Sequence, residues 1–267
     1  MDDSDSVGPT YPAQNAGYMG HPHEYSGLAG KRVLITGGAR RIGRALVMAC
    51  AEAGAHVALT YRDSQAEAEE TLRALPERGG VGMALRMDVR DPESVREAVN
   101  AVAEEFDGLD ILINNAGSFE KAALEDLSIA QWDAMQQTNA RGPFLVSQAA
   151  HPHLKKSGGR IVNLGSLGGA HAWVTHPHYC VSKAALHMLT AVMAKAWAPE
   201  IAVNCVAPGM IYDDATRTHA SYERFAEKTP MRRNGTMDDV AAAVLFFATA
   251  PSFITGQILF VDGGLGL

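Results

Sequence analysis

Tyr179 and Lys183 stand four residues apart in a stretch of helical pattern, so both side chains project from one helix face into the same space. A phenol ordinarily titrates near ~10 and keeps its proton at neutral pH. An ammonium beside it favours the phenolate and brings proton exchange within reach. The pair can therefore carry a proton to or from a reacting heteroatom. A Tyr-x-x-x-Lys spacing also describes many half-exposed helix faces, so its companions matter. Ser166 follows an apolar run thirteen positions before Tyr179, and its hydroxyl can donate to an oxygen that gains negative charge. Asn139 lies in a long helical stretch, where an amide is a mediocre helix former, which leaves room for a role of another kind. Cys180, next to Tyr179, reads as a small buried side chain rather than a nucleophile.

A second constellation suits phosphate. Thr36-Gly37-Gly38-Ala39-Arg40-Arg41-Ile42-Gly43 joins a short apolar run to a helical pattern. At such a turn the glycines admit unusual backbone angles and close approach of a ligand. The free N–H groups and the positive end of the helix dipole attract a diphosphate. A plain tight turn is the alternative for an isolated match. The next apolar run ends Thr60-Tyr61-Arg62-Asp63-Ser64. Arg62 and Arg40 offer planar, charge-assisted donors to a further phosphate and Ser64 adds a hydroxyl, whereas Asp63 could instead serve a ribose.

These side chains need a scaffold that brings distant segments to one edge. From Lys31 onward, short apolar runs alternate with longer helical patterns, which predicts βαβ units and a parallel sheet. Strands are expected at Arg32–Thr36, His56–Tyr61, Val81–Met87, Asp110–Asn114, Arg160–Leu164, Ile201–Val206 and Gln257–Val261. Helices are expected near 42–53, 64–75, 92–106, 128–156, 179–197 and 237–249. Residues 210–235 show a short helical pattern and no clear strand, and read as an insertion over an active site. No repeat, low-complexity tract or linker divides 31–267.

Taken in order, the motifs resemble those of the short-chain dehydrogenase/reductase family over about residues 31–267. The turn is similar to the family's Thr-Gly-x-x-x-Gly-x-Gly signature with Gly37 and Gly43 matched, while Arg41 replaces the middle glycine as in the pteridine reductase branch. Met87-Asp88-Val89, Asn114-Asn115-Ala116-Gly117, Pro208-Gly209 and Gly256 with Asp262-Gly263-Gly264 match further signatures. The resemblance implies an α/β fold: a single-domain Rossmann fold, a doubly wound seven-stranded parallel sheet with helices on both faces, spanning 28–267, while the Asp, Gly, Pro and His composition of 1–27 reads as a flexible arm. It implies NADP(H), with NAD(H) less favoured by the arginines. Gly37, Arg40, Arg41, Ile42 and Gly43 would cradle its phosphates, and Arg62 and Ser64 would take the 2′-phosphate. Asp88 and Val89 would meet the adenine, and Asn115, Ala116, Gly117, Pro208 and Gly209 would line the remainder. Asn139, Ser166, Tyr179 and Lys183 match the family's catalytic tetrad. There the asparagine positions a water, the serine holds substrate, the tyrosine transfers the proton, and the lysine also binds the nicotinamide ribose.

The implied reaction moves hydride between NADPH and a carbonyl. Ser166 and the Asn-Asn-Ala-Gly turn resemble 3-oxoacyl-carrier-protein reductases and their broad ketone-reducing relatives. Arg41, the run Tyr61–Ser64 and Phe119 resemble pteridine reductases, although those enzymes usually carry aspartate at the place of Ser166. A carbonyl substrate is the expectation, a pterin C=N bond the alternative, and a non-catalytic NADPH-sensing scaffold a reading from another class. Leu167–His178 and Met210–Lys228 should shape the pocket, with Phe119, Ser166, Trp173, Met210 and Tyr212 in it. The resemblance also implies a homotetramer, joined through the helices near 128–156 and 179–197 and the last strand. Ala184, Ala185, Ala191, Ala194 and Ala198 would permit close helix packing.

Composition narrows the partners. With 47% hydrophobic and 20% charged residues the chain can close an ordinary core. A net charge of −7 without a basic stripe argues against nucleic acid. Three scattered cysteines suggest no disulfide framework and a reducing, cytoplasmic setting. No secretory pattern opens the chain and no apolar run is long enough to span a bilayer. His151/His153 and His176/His178 flank prolines but lack a third and fourth ligand, so no metal is expected.

Overall fold

The computed structural model describes residues 26–76, 80–213 and 219–267. Of the arm expected at 1–27, all but the last two residues lie outside the described residues. The seven strands are β1 (Arg32–Ile35), β2 (His56–Tyr61), β3 (Gly82–Arg86), β4 (Ile111–Asn114), β5 (Arg160–Leu164), β6 (Ala202–Pro208) and β7 (Ile258–Val261). They form one parallel sheet in the order β3-β2-β1-β4-β5-β6-β7. Parallel strands covered on both faces need apolar side chains on both, which is why β1, β4 and β5 read as continuous apolar runs. The order reverses between β1 and β4, and a crevice opens beyond their carboxyl ends at such a switch point.

One face of the sheet is covered by α1 (Arg41–Glu52) and α8 (Met237–Thr249), around Val33, Ile35, Val47, Leu59, Ile113 and Val244. The other is covered by α3 (Pro92–Glu105) and α6 (Pro177–Ala196), around Leu34, Val99, Leu112, Ile161 and Val203. Beside β2 and β3 lies α2 (Gln65–Arg73). Local chemistry sets the helix starts: the Asp91 carboxylate accepts from the Glu93 N–H ahead of Pro92, and Thr236 and Asp239 form a capping box on α8.

The helix expected over 128–156 is divided. The structure has α4 (Ile129–Gln136), a π turn at Gln137–Arg141, and α5 (Gly142–Ser157). Pro143 has no amide to give the Asn139 carbonyl, so the regular ladder cannot continue there and the turn widens. Within 210–235 lie α7 (His219–Lys228) and a parallel bridge between Ile211 and Gly235, where no strand was expected. The Tyr212 N–H donates to the Gly235 carbonyl (2.8 Å), and the Gly235 N–H to the Met210 carbonyl (2.9 Å), tying the segment after β6 to the approach of α8.

A polar chain crosses the core below the crevice. Asn114 Nδ2 donates to Ser147 Oγ (3.0 Å) and Asn163 Oδ1 (2.9 Å), and Asn163 Nδ2 donates to Thr190 Oγ1 (2.9 Å), so β4, β5, α5 and α6 are held in one register. At the opposite end of the sheet the Arg32 guanidinium grips Asp110 through Nε (2.7 Å) and Nη2 (3.0 Å), and the Arg32 N–H donates to the same carboxylate (2.9 Å). Burial pushes this carboxyl up, but the Arg32 side chain and backbone donors outweigh it and hold it below its ordinary value. A carboxyl depressed in the folded state contributes fully above the unfolded value near ~3.9, and that contribution fades as pH falls through the folded value. Asp110→Asn should lower stability at neutral pH by roughly 1–2 kcal/mol. In urea titrations the gap from the parent protein should narrow below about pH 4.

Candidate active site

The crevice holds a cavity of about 490 Å³, lined at one end by the β1–α1 turn and at the other by Ser166, Trp173 and Tyr179. The turn is tied to the loop after β4. Thr36 Oγ1 accepts from the Asn115 N–H (3.0 Å) and the Ala116 N–H (2.9 Å), while Asn115 Nδ2 donates to the carbonyls of Thr36 and Gly37 (both 2.9 Å). Gly43 sits so close beneath this knot that a Cβ would overlap the Gly37 carbonyl and lie 2.7 Å from Asn115 Nδ2. Arg41, where the family signature has glycine, adopts φ 54°, the left-handed region that a side chain disfavours. Its Nε meets the Asp213 carboxylate at 2.6 Å, and Asp213 is almost wholly buried. The Tyr222 hydroxyl accepts from the Asp213 N–H (2.7 Å) and donates to the Asp213 carbonyl (2.9 Å), so the ion pair joins the phosphate turn to α7.

The second phosphate-suited cluster sits at the mouth. Arg62 Nε pairs with Asp63 (2.5 Å), and Arg40 reaches Glu67 at 3.4 Å, with both arginines well exposed. Asp88 is held by Arg90 through Nη2 (2.6 Å), and the Arg90 hydrogen bonds bring its carboxyl down to about 2.

At the other end, α6 aims Tyr179, Lys183 and His187 from one face. Lys183 is buried, and its Nζ donates to the Leu164 carbonyl at the end of β5 (2.7 Å). Loss of water lowers it to about 8. The Lys183 ammonium lies 5.9 Å from the Tyr179 ring centroid. In the protein alone, burial pushes Tyr179 up to about 12, against the opposing hydrogen bond of the Ser166 hydroxyl. Burial, then the charge of Lys183, takes His187 down to about 4.

Asn139 does not line the cavity. It is fully buried in the π turn, where Nδ2 donates to the Ser118 carbonyl (2.9 Å) and Ser182 Oγ (3.0 Å), and Oδ1 accepts from the Ser118 N–H (2.7 Å). The asparagine thereby staples the loop after Gly117 to α6. Ser166 Oγ accepts from the Gly168 N–H (3.1 Å), which orients it at the start of a short 3-10 turn.

These sequences and geometries have counterparts. A family model described as enoyl-(acyl carrier protein) reductase matches residues 37–266. The chain belongs to the short-chain dehydrogenase/reductase family. It is 35% identical to 3beta-hydroxysteroid dehydrogenase 1 of Eggerthella lenta, over 91% of this chain and 96% of that one. It is 33% identical to the 3-oxoacyl-(acyl-carrier-protein) reductase FabG of Staphylococcus epidermidis, over 88% and 98%. A short-chain dehydrogenase from Burkholderia cenocepacia, solved in complex with NADP, shares 40% identity and a TM-score of 0.84, over 90% of this chain and 99% of that one. This short-chain dehydrogenase/reductase is thus an oxidoreductase with the family's seven-stranded Rossmann fold.

The cavity gathers Gly37, Arg40, Arg41, Ile42, Gly43, Arg62, Ser64, Asp88, Val89, Asn115, Ala116, Gly117, Pro208 and Gly209, and with them Phe119, Ser166, Trp173, Tyr179, Lys183 and Met210. Tyr212 stands outside it, its ring turned onto Tyr222 at 4.6 Å, and Tyr222 lines the cavity in its place. Asp213, Tyr222, Ser118 and Arg90 are lining residues that spacing alone did not mark. Among the described residues no three His, Cys, Asp or Glu side chains gather as a metal site, and no helix is long and apolar enough to cross a membrane. Gly43→Ala should lower stability by roughly 1–3 kcal/mol, because backbone must shift to admit the methyl group. Thermal melting should show this as a lowered midpoint.

Proposed function

We propose that this protein is an NADP(H)-dependent carbonyl reductase that uses Tyr179 as its acid/base. The observation that carries the reading is the convergence of Ser166, Tyr179 and Lys183 at the end of the cavity opposite a glycine turn with no room for a single Cβ at Gly43. The turn and the Arg40–Arg62 mouth fit a dinucleotide with a 2′-phosphate, held by the α1 N-terminus and by charge-assisted donors. The NADP-bound relative from Burkholderia cenocepacia supports that choice. NADPH held there would supply the hydride and, once oxidised, would carry a positive charge on its ring.

The protein's own groups handle the oxygen. Ser166 donates a hydrogen bond as charge gathers there, and Tyr179 hands over its proton, so the ketone becomes an alcohol. Lys183 keeps a positive charge close to the phenolate that remains, anchored by the Leu164 carbonyl. Asn139 fixes the Ser118 backbone against α6, which sets the spacing between the loop and Tyr179. Ser166 in place of an acid favours a ketone over a pterin.

Residues 28–267 act as one domain in this reading, with the cytoplasm as its setting, in keeping with three unpaired thiols. A tetramer is supported by apolar side chains left open on α5 and α6, such as Phe144, Val181, Met188 and Val192, and on β7, where Ile258, Leu259 and Phe260 are all exposed.

Tyr179→Phe should reduce kcat for ketone reduction by about 10²–10⁴-fold while leaving NADPH affinity within about threefold. Steady-state rates and a fluorescence titration check this, and a Tyr179→Phe protein as active as its parent would defeat the reading. Asp63 competes for Arg62, so Asp63→Asn should raise the preference for NADPH over NADH by roughly 3- to 5-fold. The readout is the ratio of kcat/KM for the two cofactors.

A further inference from the structure

His187 stands one turn of α6 beyond Lys183 and behind the cavity wall. Gly165, Ser166 and Lys183 line the cavity, and His187 does not. Only 8% of its surface is open. Its Nε2 has no hydrogen-bond partner among the described residues. Burial, then the charge of Lys183, holds the ring at about 4, so it is neutral at pH 7. Cys205 lies beside it, and burial pushes that thiol up to about 12, so the two form no nucleophilic pair. A ring that is uncharged and leaves Nε2 unpaired acts here through its shape.

That shape fills a slot between two glycines. A Cβ at Gly165 would lie 2.5 Å from His187 Nε2, and a Cβ at Gly169 would lie 2.5 Å from Cε1 and 2.9 Å from Nδ1 of the same ring. Each bare Cα is thus in van der Waals contact with the imidazole, at about 4 Å or less. The Lys183 carbonyl carbon presses on Gly169 as well, 2.9 Å from where its Cβ would stand. Phe260 of β7 closes the far side, its ring 6.1 Å and 80° from the imidazole.

Between the two glycines runs the turn that carries Ser166. The Gly165 N–H donates to the Val206 carbonyl of β6 (2.8 Å), the Gly169 N–H to the Ser166 carbonyl (2.9 Å) and the Gly168 N–H to Ser166 Oγ (3.1 Å). These bonds set the serine within its turn and the turn against β6. Its distance from α6, which carries Tyr179 and Lys183, is set by packing, and the imidazole is the side chain that touches both ends of the turn from that helix.

We infer that His187 is a positioning residue: through Gly165 and Gly169 it holds the turn at the distance from α6 where the Ser166 hydroxyl meets the Tyr179 phenol. The inference rests on the carbonyl-reductase reading and adds a residue to its machinery. Without the ring the turn keeps its own bonds but settles toward α6, and a donor displaced by about 1 Å loses most of its effect.

The test is a double-variant cycle of His187→Ala and Ser166→Ala with two readouts. One is kcat for reduction of a short 3-oxoacyl thioester by NADPH. The other needs no turnover: the pH titration of the Tyr179 phenolate in the NADP⁺-loaded protein, by ultraviolet difference absorbance against Tyr179→Phe. Against the burial that raises Tyr179, the Ser166 hydrogen bond pulls it down, so a displaced serine raises the midpoint. Ser166→Ala should lower kcat by about 10²-fold and His187→Ala by about tenfold, both with a raised midpoint. In the Ser166→Ala background, His187→Ala should change kcat by less than about twofold and leave the midpoint in place. His187→Leu, which refills the slot without a ring nitrogen, should return kcat to within about threefold of the parent. A general loss of packing would act equally in both backgrounds, so additive effects overturn the inference, as does a His187→Leu protein no better than His187→Ala. Tight NADPH binding with no ketone reduced removes the carbonyl-reductase reading, and the titration then decides the inference by itself.

Discussion

The ammonium of Lys183 lies inside the protein with a backbone carbonyl, not a carboxylate, as its anchor. A buried charge of this kind costs stability, and much of the surrounding structure is arranged to keep it there. The end of β5 delivers the Leu164 carbonyl. The Asn114–Asn163–Thr190 chain locks β5 to α6, the helix that carries Lys183. His187, one turn further along, is held neutral by burial and by Lys183 itself, so no second cation competes for the same space. Lys183 is lowered only to about 8 and remains largely protonated at neutral pH.

The same dryness that lowers Lys183 raises Tyr179. Burial moves the phenol to about 12, so the protein alone holds the tyrosine firmly protonated. In the proposed reaction that is the form that donates to a substrate oxygen, and giving up the proton would then depend on positive charge arriving beside the ring. The rings of Phe119 and Trp173 lie against the phenol, at 4.8 and 6.1 Å between centroids.

Much of this was legible in the sequence because parallel strands buried on both faces leave continuous apolar runs, and all seven expected strands appear within a residue or two of their places. The glycine turn, Tyr179 with Lys183, and Ser166 were legible because their spacing along one helix or after one strand is itself the geometry. Three features were not. The π turn at Asn139 depends on Pro143 withholding an amide from a ladder that the apolar period does not report. Tyr212 turns out of the cavity to pack on Tyr222, a partner on another element. Asp213 was visible as an acid, yet its match with Arg41 requires the fold to bring α7 beside the first turn.

The central claim is that Tyr179 is a desolvated phenol whose proton is released by positive charge in the cofactor site. The most direct measurement is the pH titration of its phenolate by ultraviolet difference absorbance, parent minus Tyr179→Phe, with and without saturating NADP⁺. The account expects titration well above the ordinary value of ~10 in the free protein and a fall of roughly two units or more with NADP⁺ bound. A phenol that titrates at its ordinary value in the free protein, or one that NADP⁺ leaves unmoved, would contradict it.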